Sequence, residues 1–193
     1  ASPSNSSTTP TVNGTTSEAN VTVRLYKTNN CSGTVAAQST IASTSFAIQV
    51  TVTANTTTPL TANLVDAAGN VSACSDVLNY THDNAAPGTP VITGSTPASP
   101  SNTSTTPTLA GTAENAATVR IYTNATCTSA VAGTVTATAS GFSVQVTAAT
   151  NGSRTFHATA TDAAGNVSAC SAGFTYIHDN TAPALPIFTG TSP

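Results

Sequence analysis

Residues 118–122 read "TVRIY" and residues 22–26 read "TVRLY". In both, apolar and polar residues alternate. Val119 and Ile121, like Val23 and Leu25, fall on one side of an extended chain; Arg120 and Tyr122, like Arg24 and Tyr26, fall on the other. Successive side chains of a strand point to opposite faces, so a period of two marks a half-buried β-strand. The alternation returns downstream: Phe46, Ile48 and Val50 answer Phe142, Val144 and Val146. Leu60, Ala62 and Leu64 answer Phe156, Ala158 and Ala160, and Leu78 and Tyr80 answer Phe174 and Tyr176. The opposite face changes freely, Thr61 to His157 and Asn63 to Thr159, as an outward face does. No stretch carries a 3.6-residue apolar stripe, and Thr and Val are poor helix formers. The expected class is all-β, with short strands separated by turn residues as in a β-sandwich.

The pairs above lie at a constant spacing. "DAAGNVSACS" starts at Asp66 and again at Asp162, 96 residues apart. Glu18 and Glu114, Cys31 and Cys127, Cys74 and Cys170, and His82-Asp83 and His178-Asp179 keep that offset. Near the start the offset becomes 97, with Gly14 matching Gly111. The chain is two copies of one unit, each long enough for a modest core. "HDNAAPGTP" and "HDNTAPALP" read as short, semi-rigid linkers, because proline fixes φ and favours extended backbone. An apolar stretch, "VITG" or "IFTG", follows each and reads as a first strand. The expected boundaries are residues 1–87 for a first repeat lacking its first strand, 88–184 for a second repeat, and 185–193 for a further strand. That strand either begins a following repeat or is donated to another molecule by β-strand addition, and the sequence leaves both open.

Charged residues make up 6% of the chain, against roughly 25% in ordinary soluble domains. Only Arg24, Lys27, Arg120 and Arg154 are basic, so no cluster exists to neutralise phosphates, and nucleic acid is excluded as a partner. No apolar run reaches the roughly 20 residues of a transmembrane helix, so no membrane insertion is expected. With no Met, the chain reads as a mature or excised piece. Four cysteines fall two per repeat, 43 residues apart, which favours disulfides and an oxidising compartment. Four cysteines allow three connectivities; self-sufficient repeats favour Cys31–Cys74 and Cys127–Cys170. Closing such a loop stabilises a domain by roughly 3–4 kcal/mol in the chain-entropy model. The cysteine-bearing strands of a simple sandwich flank a third strand, so at least one cysteine of each pair is expected on a loop. No nucleophile turn and no phosphate loop occurs, and the chain is expected not to be an enzyme.

The order TPT-x-x-G, T-V-R-hydrophobic-Y, F-x-hydrophobic-Q-V, D-A-A-G-N and D-N-x-A-P resembles bacterial immunoglobulin-like (Big-type) tandem repeats of large secreted adhesins and surface fibre proteins. The resemblance spans essentially the whole chain. It implies tandem immunoglobulin-like sandwiches of about seven strands in an elongated array, with an extracellular or cell-surface location and no catalytic residues. It also implies a structural role in a fibre, filament or adhesin stalk, whose partners are neighbouring repeats or further copies, head to tail. The alternative is a ligand- or carbohydrate-binding module, for which Tyr26 and Tyr122 are the outward aromatic candidates.

The D-A-A-G-N segment has two readings. As a turn, Gly69 or Gly165 takes positive φ while the Asp and Asn side chains bond the turn backbone. As a pole of an immunoglobulin-like sandwich, it would gather Asp83, Asn84, Glu114, Asp162 and Asn166 at a junction. Glu18, Asp66, Asn70 and Asp179 are the equivalents at other junctions. Oxygen donors in that set suit Ca²⁺, which takes 6–8 of them.

Overall fold

A computed structural model describes residues 2–190. The described residues are all-β, with thirteen strands. Residues 191–193 of the expected further strand lie outside them. Contacts divide the chain into two compact units, one of residues 1–85 with 163–166, the other of 86–162 with 167–193.

In the first unit the strands are β1 (Thr11–Thr15), β2 (Val21–Tyr26), β3 (Ala37–Ile41), β4 (Ser45–Gln49), β5 (Thr56–Val65) and β6 (Leu78–His82). They form a four-stranded sheet in the order β3-β2-β5-β6 and a two-stranded sheet, β1-β4. These strands pair antiparallel with one another, and Ser4 adds a parallel bridge to His82. The second unit adds β7 (Val91–Thr96), β8 (Thr108–Thr112), β9 (Thr118–Tyr122), β10 (Gly133–Thr136), β11 (Phe142–Gln145), β12 (Gly152–Thr161) and β13 (Phe174–His178). Its sheets run β10-β9-β12-β13 and β11-β8-β7. The "VITG" stretch is thus a strand, paired along one edge of β8. Among the described residues, the equivalent edge of β1 pairs with no strand.

Each core draws on both sheets of its unit. In the second, Leu109, Phe142 and Val144 pack with Val119, Ile121, Phe156, Ala158 and Tyr176. In the first, Val12 and Ile48 pack with Val23, Leu25 and Leu60. These are the alternate positions of the apolar face, and fully burying each large side chain contributes about 1.5–3 kcal/mol. Gly111 has a steric reason to be glycine: a Cβ there would meet the Val91 carbonyl and the Phe142 ring. A side chain would therefore separate β7 from β8.

Two expectations need correction. The outward face of β5 and β12 is not free. Thr61, Asn63 and Thr159 are buried and His157 is half-buried. The cysteine-bearing loop after β2 accounts for the first of these: the Thr61 hydroxyl donates to the Thr28 carbonyl at 2.9 Å and accepts from the Cys31 N–H at 3.2 Å. Tyr26 is likewise not outward. It is buried, with its hydroxyl 3.4 Å from Asn63 Oδ1.

Candidate functional site

The parts of the chain duplicated most faithfully lie between the fifth and sixth strands of the first unit, and between their counterparts in the second. Each begins with a turn. The Asp66 carboxylate accepts the N–H groups of Ala68 and Asn70 through Oδ1, at 2.9 and 2.8 Å, and the Asn70 amide through Oδ2 at 2.7 Å. Gly69 takes φ +90° and Gly165 φ +93°, a region that favours glycine because it lacks a Cβ. The Asn70 side-chain bond, then its backbone bond, holds the Asp66 carboxyl below its ordinary range.

After the turn, "VSACS" does not continue as a regular strand; it runs along the second half of the ten-residue strand β5. The Ser72 N–H donates to the Leu64 carbonyl, and the Leu64 N–H donates back to the Ser72 hydroxyl, both at 3.0 Å. Ser75 does the same with Ala62, at 2.9 and 3.0 Å. Ser168 with Ala160 and Ser171 with Ala158 repeat the pattern at 2.8–2.9 Å. Hydroxyls here replace the carbonyls that a paired strand would offer, so the edge amides of β5 and β12 stay satisfied without a regular ladder. The S-x-x-S spacing, present twice, was the available signal for this device; composition hid it, because serine is common throughout.

The serine ladder presents the cysteine. Cys31 bonds Cys74 and Cys127 bonds Cys170, each with Cα atoms 5.7 Å apart. All four cysteines lie outside regular strands. Cys31 and Cys127 adopt φ +54° and +53°, a left-handed conformation that turns the loop toward its partner.

The end of each repeat is a cap built from three consecutive residues. His82 and His178 are buried, and their Nδ1 atoms accept the N–H groups of Asn55 and Asn151 at 3.2 and 3.1 Å. The Asn55 and Asn151 side-chain oxygens then accept the N–H groups of Asn84 and Asn180 at 2.8 and 2.9 Å. Between them, Asp83 and Asp179 each accept the N–H two residues on, at 3.0 and 2.9 Å. "HDN" is therefore scaffold chemistry. Tyr80 and Tyr176, each mid-strand, follow suit, donating to the Ser7 and Ser104 carbonyls at 2.8 Å.

Glu18 and Glu114 are exposed in loops. Within the first unit the Asn166 amide donates to the Asp83 carbonyl at 2.9 Å. Among the described residues no three His, Cys, Asp or Glu side chains converge as a metal site would require. Asp66, Asp83 and Asp179 each place at least one carboxylate oxygen on a local turn N–H. Tyr26 is buried and Tyr122 half-buried, a poor aromatic platform for a sugar.

Residues 95–175 match the family described as Bacterial Ig domain. The second repeat thus carries homology to Big-type bacterial immunoglobulin-like domains, and the first shares its anchors at the 96-residue offset. No curated protein sequence matches the chain. Among solved structures it is similar to the fibronectin(III)-like modules of Clostridium thermocellum CbhA, at 17% identity and TM-score 0.50, covering 88% of this chain and 86% of that one. A biofilm associated protein BSP domain aligns at 21% identity and TM-score 0.34, over 90% of this chain; the chain spans 28% of its length. The chicken CNTN1 FN1-FN3 domains align at 12% identity and TM-score 0.44, over 83% of this chain and 55% of that one. At 17% identity the likeness to the CbhA modules is one of fold.

Proposed function

We propose that each repeat is an immunoglobulin-like β-sandwich and that the chain is a non-catalytic structural repeat of an extracellular fibre or cell-surface adhesin stalk. Repeat boundaries at residues 1–87 and 88–184, with 185–193 beginning a further strand, belong to this reading. The observation that carries it is the kind of residue held identical between copies. Disulfide, Asp-Asn turn, serine ladder and His-Asp-Asn cap all fix backbone, and none presents a reactive group to solvent as part of a catalytic set. Two disulfides place the protein outside the reducing cytosol.

Force spectroscopy tests the mechanical role. Pulling the oxidised chain should give two unfolding events, each shortened by its locked loop. Reduction should lengthen each by about 15 nm, the reach of 43 residues at roughly 3.5 Å apiece. Featureless extension at negligible force would sink the stalk reading. Calcium remains a proposal resting on the sequence, with Asp83, Asn84, Glu114, Asp162 and Asn166 as donors. Calorimetric titration with Ca²⁺ decides it, and absence of binding at millimolar ion removes it.

A further inference from the structure

The outward faces of the two four-stranded sheets differ at most positions, yet each keeps an arginine near its centre. Arg24 on β2 lies between Gln38 of β3 and Asn63 of β5. Arg120 on β9 lies between Thr134 of β10 and Thr159 of β12. Of the four basic residues in the chain, these are the two that answer each other: Thr123 stands opposite Lys27 in the repeat, and Thr58 opposite Arg154. The cross-strand neighbours differ between copies while the cation stays. A bond to one particular neighbour therefore does not explain the arginine.

Neither arginine is balanced by an acid. Among the described residues no carboxylate pairs with either, and the eight strands of the two sheets contain no Asp or Glu. Arg24 donates no hydrogen bond among these residues, and its Nε is closed off from solvent without an acceptor. Arg120 donates one N–H to the Thr161 hydroxyl, at 3.3 Å. On the facing strand the Thr159 hydroxyl is buried with no partner. Both arginines are half-buried. A guanidinium carries five N–H donors and keeps its charge, so holding it partly out of water with no counter-charge is costly. A local cost kept in both copies is the mark of a functional position.

The rest of each face is polar and uncharged. Thr22 and Thr40 share a hydroxyl–hydroxyl bond at 2.8 Å beside Arg24, and Gln38 is exposed. Beside Arg120, Thr134 and Thr136 are exposed. We infer that Arg24 and Arg120 each bind a carboxylate of an acidic polysaccharide, a uronic-acid chain lying on the sheet face. The terminal N–H groups of the guanidinium take the two carboxylate oxygens as a fork. The threonine hydroxyls and the Gln38 amide meet the hydroxyls of the sugar ring. An acidic peptide is the poorer match, because the neighbours are hydroxyls and amides and not apolar contacts for side chains. Recognition rests on charge, and needs none of the aromatic stacking that a buried Tyr26 and a half-buried Tyr122 do not offer. The inference is separate from the stalk reading, since a repeat bears force with or without this ligand.

Titration of the nitrogen-labelled chain with an oligogalacturonate tests it, read by nuclear magnetic resonance at the arginine Nε–H and Gln38 amide signals. Both arginines should shift and saturate by about 10 mM, and the shifts should weaken with added salt. The fully methyl-esterified oligomer, the same sugar without its charge, should leave the signals unmoved. Poly-glutamate should bind at least about tenfold more weakly than the oligogalacturonate. Arg24→Gln should lower affinity at its own sheet by about ten- to a hundredfold, the worth of a charge-assisted hydrogen bond, and leave the Arg120 signal responding as before. Arg120→Gln should do the converse. Arg24→Lys keeps the charge and the stem but not the fork, and should fall between parent and glutamine variant. Amide spectra of each variant confirm the fold. An unresponsive parent, equal binding of the ester, tighter binding of poly-glutamate, or Gln38 shifts that survive Arg24→Gln would each overturn the inference.

Discussion

Tyr80 and Tyr176 hold the same position in their repeats and donate the same hydrogen bond, yet Tyr176 is fully buried and Tyr80 only partly. The difference runs along one side of the unit. Ala158 and Ala160 are sealed where Ala62 and Leu64 are half-open. Ser168 and Ser171 are buried where Ser72 and Ser75 are exposed, and Phe174 packs on its core where Leu78 faces solvent. Every one of these positions lies on or beside the strands that β7 covers in the second unit. Two nearly equivalent sequences therefore bury different amounts of apolar surface; β7 has no counterpart among the described residues of the first unit, and His157, where the first unit has Thr61, lies 3.0 Å from the Ser171 carbonyl. Removing a strand from a sheet exposes more than its own side chains. It also wets the faces of the neighbours it covered.

The largest expected effect that would break this comparison is at the tyrosines. Tyr176→Ala should cost the second unit about 3–5 kcal/mol, the range for deleting a fully buried aromatic. Tyr80→Ala should cost the first unit clearly less. Hydrogen exchange in the intact chain, followed separately on β5 and β12, reads the two losses; equal values would mean that the open edge of β1 does not weaken the first core. Next come the disulfides. Serine at both Cys31 and Cys74, or at both Cys127 and Cys170, should cost each unit about 4 kcal/mol, since both loops have a sequence separation of 43. Denaturation of the two variants should show matched losses, and a marked inequality would put the contrast in the loops instead of the open edge.

Smaller effects sharpen the picture. Ser171→Ala leaves the buried Ala158 N–H without its acceptor and should cost about 1–3 kcal/mol. Ser75→Ala should cost less, because Ser75 is exposed and water reaches the half-open Ala62 site. Thermal melts of the two variants measure the difference. The smallest effect is titration of Asp66. Its carboxyl is held below the ordinary range by Asn70, so it is depressed in the folded state. The stability it contributes is present above the unfolded-state value, near 3.8, and is lost as pH falls through the lower folded value. Asp66→Asn should flatten that acid dependence below about pH 4. Unchanged pH dependence would show that the turn bonds form without the charge.

Much of this was readable before any coordinates. Alternation at Val23 and Leu25, and at Val119 and Ile121, determined both the class and the face that turns inward, because a strand's side-chain period admits one choice of buried side. The 96-residue spacing determined that there are two units, and the even split of cysteines favoured pairing within each. Four matters were decided by the tertiary structure. Tyr26 is covered although alternation sends it outward, because local periodicity carries no information about a loop folding back over the sheet. Thr61 is buried for the same reason, as the cysteine loop bonds it. The serine ladder was hidden, since a hydroxyl stands in for a strand only when the long β5 or β12 lies beside it. The exposure of Leu78 was invisible too. Whether an apolar residue is buried depends on which other segment reaches its face, and only the pairing of β7 with β8, set beside the open edge of β1, shows where that segment is required.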